Sequence, residues 1–143
     1  MDPGSIERLP IAARDRLARF ARAFERIDAS QYALFAARPL DSAAHERARE
    51  SAEFLIAGGS RRDAIRAVVD EFREWVVGAF GRFELQAITG VGPRFGTPRD
   101  IQDGLAALES AVIALILWDQ LEPSDRDELL GPWAELAEAA AGS

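Results

Sequence analysis

Apolar residues recur along most of this chain at intervals of three and four, which is the period of an amphipathic α-helix. Alternation with a period of two, which would indicate a strand, does not persist. The pattern therefore predicts an all-α, single-domain bundle of about five helices. The predicted helices 1 to 5 cover about 10–27, 42–57, 60–89, 97–121 and 132 onwards, with an irregular stretch through Tyr32 and Phe35 and a short helical turn at 125–130.

Helix 4 contains the most informative segment of the chain. Thr97 can cap this helix, and Pro98 suits its first helical position. Residues 111–118 include no polar side chain, so this part of the helix has no polar face. Because such a helix must be covered on every side, we expect 111–118 to be shielded from solvent at the centre of the bundle.

Two ways of covering the apolar flank of helix 4 are open. The C-terminal segment can fold back on it through Leu129, Leu130, Trp133 and Leu136, or a second copy can present the same flank about a two-fold axis. The second alternative predicts a homodimer. Its expected interface residues are Ile113, Ile116, Leu117 and Trp133.

Small residues suggest how helices 3 and 4 pack. Helix 3 has Gly78 and Gly81 one turn apart, and helix 4 has a seam of small residues at 104, 107, 111 and 114. In an antiparallel hairpin about a loop near Pro93 the two patches face each other, and small side chains let helices approach closely. We predict this hairpin as the centre of the fold. The competing interpretation is that the two glycines only loosen helix 3.

Length and composition fit one domain over residues 1–143, with frayed ends at 1–9 and 138–143. The chain has no cysteine and all 17 basic residues are Arg, which excludes thiolate, Schiff-base and P-loop lysine chemistry. The N-terminus has no apolar signal region, and no apolar run reaches the roughly 20 residues of a membrane span. These features predict a cytoplasmic protein.

The net charge of −7 is unevenly distributed. Residues 1–40 carry seven Arg and five acids, whereas 101–143 carry only Arg126 and nine acids. A net acidic chain binds polyanions poorly, so we do not expect nucleic acid as a partner. The asymmetry predicts that the N-terminal arginines meet the acidic C-terminal part, within one chain or between two, unless both faces are separately solvated.

The loop over residues 90–99 is the candidate ligand site. The N-terminus of helix 4 offers free N–H groups, Thr97 lies at its cap, and Arg94 and Arg99 add positive charge, so an anionic group would bind here. The loop matches neither a P-loop nor a dinucleotide motif, and a plain interhelical connector is the alternative.

Residues 50–69, ESAEFLIAGGSRRDAIRAVV, resemble the first two helices of a LuxR-type helix-turn-helix. The resemblance covers about 20 of the 143 residues, through Leu55, Ala57, Gly58, Ser60, Arg62 and Ile65. It implies a DNA-associated regulator. The second helix continues through the acidic positions 70, 71 and 74, however, so an ordinary helical hairpin is the competing interpretation.

No catalytic, cofactor or metal site is predicted. His45 is the only histidine; HERAR lacks the second ligand of HExxH, and Pro39 interrupts the helix that an Arg38–His45 pair of HEPN-ribonuclease type requires. We therefore predict an ordinary surface histidine. Glu109 borders the apolar run, and if it is buried we expect an Arg partner or a raised pKa.

Three functions remain. The first is a non-enzymatic helical interaction module, homodimeric or with an unknown protein partner. The second is a small-ligand-binding protein that uses the loop at 90–99, and the third is the DNA-associated regulator that uses 50–69.

Overall fold

The computed structural model describes residues 6–36, 41–59, 61–88 and 98–142. The secondary structure in these ranges is helical and includes no strand, which confirms the all-α fold. The elements are α1 (Ile11–Glu25), α2 (Ala29–Ala36), α3 (Ser42–Gly58), α4 (Arg62–Ile88), α5 (Pro98–Ile116), α6 (Pro123–Leu130), a 3₁₀ turn (Gly131–Trp133) and α7 (Ala134–Gly142). Predicted helices 1 to 4 correspond to α1, α3, α4 and α5. None of the helices described has the length and apolar character needed to cross a bilayer.

Helix α5 lies at the centre and contacts every other helix named above. Residues 111–117 are all buried, as the unbroken apolar run predicts. Trp118, which was also expected to be shielded, is only half-buried. The guanidinium carbon of Arg126 lies over its ring, 4.3 Å from the ring centroid. Burying each large side chain of this run contributes about 1.5–3 kcal/mol.

The C-terminal segment covers α5 within the same chain. Helix α6, the 3₁₀ turn and α7 all contact α5, and Leu129, Leu130 and Trp133 are buried. Gly131, with a φ of 49°, ends α6 and lets the chain turn back over the core. The helical backbone continues to Gly142, and Leu9 near the other end is buried.

Residues 29–36 form a helix where the sequence analysis predicts an irregular stretch. The Oδ1 of Asp28 accepts a hydrogen bond from the N–H of Gln31 at 2.9 Å, and the Oε1 of Gln31 accepts one from the N–H of Asp28 at 3.2 Å. This reciprocal capping box satisfies two backbone donors at the start of α2. Eight residues are too few for a stable isolated helix, so packing of Tyr32 and Phe35 must stabilise it.

An aromatic cluster joins the N-terminal helices to the C-terminal segment. The ring of Trp133 lies 5.7 Å from that of Phe24, 5.6 Å from Tyr32 and 5.0 Å from Phe35. Phe24 also lies 5.3 Å from Trp75, which extends the cluster to α4. Offset and tilted ring pairs at these distances stabilise the fold beyond the area that they bury.

One N-terminal arginine reaches the C-terminal half of the chain. The Nε of Arg16 donates a hydrogen bond of 2.9 Å to the carbonyl oxygen of Leu115, and its Nη1 lies 3.7 Å from Oδ2 of Asp119. At this point the basic and acidic parts therefore meet within one chain.

Helices α4 and α5 are in contact, but Gly78 does not mark a close approach between them. It is exposed, and a Cβ added there would meet no atom within 4 Å. At this residue the structure agrees with the competing interpretation, a glycine that loosens the helix. The surroundings of Gly81 and the loop at 89–97 lie outside the described residues, and the antiparallel hairpin stays a prediction.

Candidate functional site

His45 belongs to a polar cluster between α3, α5 and α6. Its Nδ1 lies 3.0 Å from the carbonyl oxygen of Glu128, and its Nε2 lies 3.1 Å from Oγ of Ser110. The prediction of an ordinary surface histidine is therefore wrong. No local pattern could have corrected it, because the two partners are 83 and 65 residues away along the chain.

The partners of His45 assign the direction of each hydrogen bond. A carbonyl only accepts, so Nδ1 carries a proton. In the tautomer protonated on Nδ1 alone, Nε2 accepts from the hydroxyl of Ser110. The Oγ of Ser110 in turn accepts from Nη1 of Arg49 at 3.3 Å. Each of these donors thus faces an acceptor, which is what a partly buried polar chain requires.

Ser110 is buried, with 2% of its surface exposed. A serine next to a histidine resembles a nucleophile next to its base. Here the hydroxyl is enclosed within α5 and already occupied by His45 and Arg49, so it offers no face to a substrate. The contact instead clamps α3 onto α5 and, through the carbonyl of Glu128, onto α6.

Two glutamates beside this clamp are each shared between two arginines. Glu109 lies 3.2 Å from Arg49 and 3.8 Å from Arg73, and Glu53 lies 2.6 Å from Arg66 and 3.6 Å from Arg49. Glu109 is half-buried, and its contact with Arg49 confirms the expected arginine partner. The alternating charges connect α3, α4 and α5.

A cavity of about 30 Å³ lies among these three helices. Its polar lining comes from Arg49, Arg66, Asp70 and Glu109, and its apolar lining from isoleucine and valine side chains. This volume suits one or two water molecules and is far below the several hundred Å³ of a typical organic-ligand site. The cluster is therefore suited to joining helices through charge and bound water.

The residues predicted as a dimer interface lie in the core of a single chain. Their exposed fractions are 2% for Ile113, 5% for Ile116, 2% for Leu117 and 0% for Trp133. Because α6, the 3₁₀ turn and α7 cover this flank, these residues present no open surface to a second copy. The homodimer stays a prediction, and it needs a different face.

The candidate anion loop lies largely outside the described residues. This applies to Arg94 and Thr97, and of Arg99 the structure describes only the helical backbone in the first turn of α5. Arg38 is also outside them. The small-ligand hypothesis therefore stays a prediction.

The segment that resembles a helix-turn-helix forms parts of α3 and α4. Helix α3 ends at Gly58, Gly59 adopts an extended conformation, and α4 continues as one helix of 27 residues to Ile88. The two helices are as predicted, and the first ends at the glycine pair; Ser60 between them lies outside the described residues. DNA binding stays the third hypothesis.

The outer face of α3 has the most exposed large apolar side chain in the described part of the chain. Phe54 is 80% exposed, compared with 67% for Leu34 and 51% for Val77. We define the α3 outer face as Arg47, Glu50, Phe54, Ala57 and Gly58, which share one side of the helix and are all exposed. A Cβ added at Gly58 would meet no atom within 4 Å, so the space above this residue, one turn after Phe54, is open.

The opposite side of α3 buries Ala48, Ala52 and Ile56 against the bundle. The helix is therefore fixed in place, and Phe54 projects from a packed element. The sequence analysis missed this surface because it searched for an apolar face on helix 4. A single aromatic residue among charged and small neighbours gives no periodic signal.

Comparisons with known proteins do not assign a family to this geometry. No protein-family model, curated protein or solved structure matches the chain. In the ranges that the structure describes, no three His, Asp or Glu side chains are placed to hold a metal ion. The function must therefore be argued from the residues themselves.

Proposed function

We propose that this protein is a non-enzymatic interaction module that works as a homodimer joined through the α3 outer face. The exposure of Phe54 is the observation that supports this proposal. Removing a phenylalanine side chain from water contributes about 1.5–3 kcal/mol. Phe54 has small neighbours at Ala57 and Gly58, so a second chain can approach closely and bury the ring.

The polar cluster behind this face supports a structural role. His45, Arg49 and Glu53 on α3 are held by partners on α4, α5 and α6. This network fixes the orientation of α3, so Phe54 is presented without reorganisation on binding. A preorganised surface loses less conformational entropy when it associates.

The expected dimer is weak. Helix α3 has 17 residues and is about 25 Å long. One helix crossing another buries less than the roughly 800 Å² per partner of a standard interface. We therefore expect a dissociation constant on the order of 10–100 µM.

Sedimentation equilibrium of the full chain tests the proposal over about 5–500 µM, a range that brackets the expected dissociation constant. The mass should rise from the 15.6 kDa of one chain towards twice that value. Phe54→Arg should remain monomeric throughout this range. Leu34→Arg is the matched control, because it places the same charge at another exposed apolar residue, and it should dimerise like the wild type.

A wild-type chain that stays monomeric across the range would falsify the proposal. So would a Phe54→Arg variant that associates as strongly as the wild type. Circular dichroism and thermal unfolding of each variant show whether the helical fold is retained, and Phe54 is exposed enough for the substitution to leave the core unchanged.

A further inference from the structure

The last two helices of the chain are similar in length but differ in the side chains that they bury. Helix α6 has eight residues, and its Leu129 and Leu130 are both fully buried. Helix α7 has nine residues, and among its described side chains, 134–139, only Ala137 is fully buried. Leu136, its largest apolar side chain, is half-buried. Because hydrophobic stabilisation grows with the apolar area removed from water, α7 is held less firmly than α6.

Packing is what keeps α7 helical. A helix of nine residues is not stable in isolation, and ordering its backbone costs conformational entropy at every residue. Helix α7 therefore depends on its contacts with α1 and α5. Ala13 of α1 and Ala137 of α7 are both fully buried, and such small side chains let helices approach closely while removing little apolar area from water.

Firm anchoring of the C-terminal segment ends at Trp133, the residue immediately before α7. This side chain has no exposed surface, and its ring lies 5.0–5.7 Å from the rings of Phe24, Tyr32 and Phe35. The cover that α6 and Trp133 provide over α5 therefore does not require α7. The chain can leave the bundle after Trp133 while the residues before it stay in place.

We infer that α7 is a C-terminal strap that opens and closes as a unit on an otherwise folded bundle. The buried side of α1 consists of Ala13, Leu17, Phe20 and Phe24, and α7 lies against this helix. Each opening therefore brings part of an apolar surface into contact with water. The closed strap withholds that surface from other molecules, and the open form presents it. This device is separate from the proposed function, because it does not use the α3 outer face.

Native-state amide hydrogen exchange of the full chain tests the inference. The amides of 138–142 should exchange at least about a hundredfold faster than those of 111–117, because they exchange through a local opening. Their rates should depend little on urea, since this opening exposes little surface. The amides of 127–130 in α6 are the internal control and should follow those of 111–117.

A substitution in the buried contact should favour the open form. Ala137→Asp places a charge where the closed strap excludes water, so the exchange of 138–142 should become at least about tenfold faster. Residues 111–117 should remain protected, and tryptophan emission should not shift, because Trp133 stays in its ring cluster. Ala139→Asp is the matched control: it makes the same change at an exposed position of α7 and should alter these rates by less than about threefold.

Four results would overturn the inference. The first is exchange of 138–142 at the rates and urea dependence of 111–117, which would mean that α7 opens only when the whole chain unfolds. The second is protection that declines steadily towards Gly142, which indicates fraying from the end. The third is unfolding of the entire bundle by Ala137→Asp, and the fourth is an equal effect of Ala137→Asp and Ala139→Asp. None of these results bears on the homodimer, which Phe54→Arg tests.

Discussion

The guanidinium of Arg16 in α1 donates a hydrogen bond from Nε to the carbonyl oxygen of Leu115 in the last turn of α5, at 2.9 Å. Only 11% of the Arg16 side chain is exposed. Burial lowers the pKa of Arg16, and the carboxylate of Asp119 partly opposes this effect. The last carbonyls of a helix have no hydrogen-bond partner within the helix. A cation at this end therefore satisfies an acceptor and is attracted to the negative end of the helix dipole.

Arg16→Ala should therefore destabilise the protein. We expect the free energy of unfolding to fall by about 2 kcal/mol, because a charged hydrogen bond and a packed side-chain stem are lost together. Arg16→Lys should recover only part of this loss, since an ammonium group cannot reproduce the planar Nε–H. Urea denaturation measures both values.

Arg22→Ala is the control for this prediction, because Arg22 lies on the same helix and is exposed. It should change the free energy of unfolding by less than about 0.5 kcal/mol. Equal losses at the two positions would show that Arg16 contributes only as a surface charge.

The periodic apolar positions predicted the core well and the polar contacts poorly. Residues 111–117 are buried as expected, because a run without polar side chains leaves no alternative. The acceptor of Arg16 is a backbone carbonyl 99 residues away, and the pattern of apolar positions cannot identify such a partner. The buried interior therefore followed from local sequence, whereas the connections between helices depended on tertiary structure.

Helix α2 and the predicted interface residues show two further reasons for errors. The Asp28 and Gln31 capping box is present in the sequence, but eight residues give too short a periodic signal to indicate a helix. The predicted interface residues, such as Ile113, were correctly judged to need covering. Sequence alone could not decide whether the same chain or another provides that cover, since both bury the same apolar area.

The Ser110 hydroxyl links His45 to Arg49, so its removal should leave two half-buried groups each short of one hydrogen bond. Ser110→Ala should lower the free energy of unfolding by about 1–3 kcal/mol. His45→Ala should have a loss of similar size. The double variant should lose less than the sum, by about 1 kcal/mol, because the shared hydrogen bond is lost only once.

Ser51→Ala makes the same chemical change at an exposed position of α3 and should alter the free energy of unfolding by less than about 0.5 kcal/mol. Guanidinium or urea unfolding of the four proteins of the cycle gives the coupling energy. Strict additivity would contradict the clamp that joins α3 to α5.

Tyr32 should make the protein sensitive to alkali. Burial raises the pKa of its phenol above the ordinary value of 10.0, because the folded state disfavours the tyrosinate anion. The unfolded chain ionises first, so this stability is complete below about pH 10 and is lost as the pH rises beyond it. The free energy of unfolding should therefore fall above that pH.

The composition leaves few other groups whose titration would overlap with that of Tyr32. Tyr32 is the only tyrosine, and the chain has neither lysine nor cysteine, the other side chains whose ordinary pKa lies at about 9 to 10. Tyrosinate absorbance should appear only as the helical circular dichroism is lost. Tyr32→Phe should remove the decline, and tyrosinate that forms while the helices remain intact would show that the phenol reaches water in the folded protein.

Gly78 and Gly131 should respond in opposite directions to the same substitution. Gly78 is exposed within α4, and a Cβ there meets no atom within 4 Å, so Gly78→Ala should raise the free energy of unfolding by about 1 kcal/mol through better helix propensity. Gly131 has a φ of 49°, a backbone conformation that is unfavourable for residues with a Cβ. Gly131→Ala should therefore lower the free energy of unfolding by about 1–2 kcal/mol. Chemical denaturation of the two variants measures both changes. Destabilisation by Gly78→Ala would mean that α4 approaches another helix closely at this residue, as its small-residue spacing first indicated.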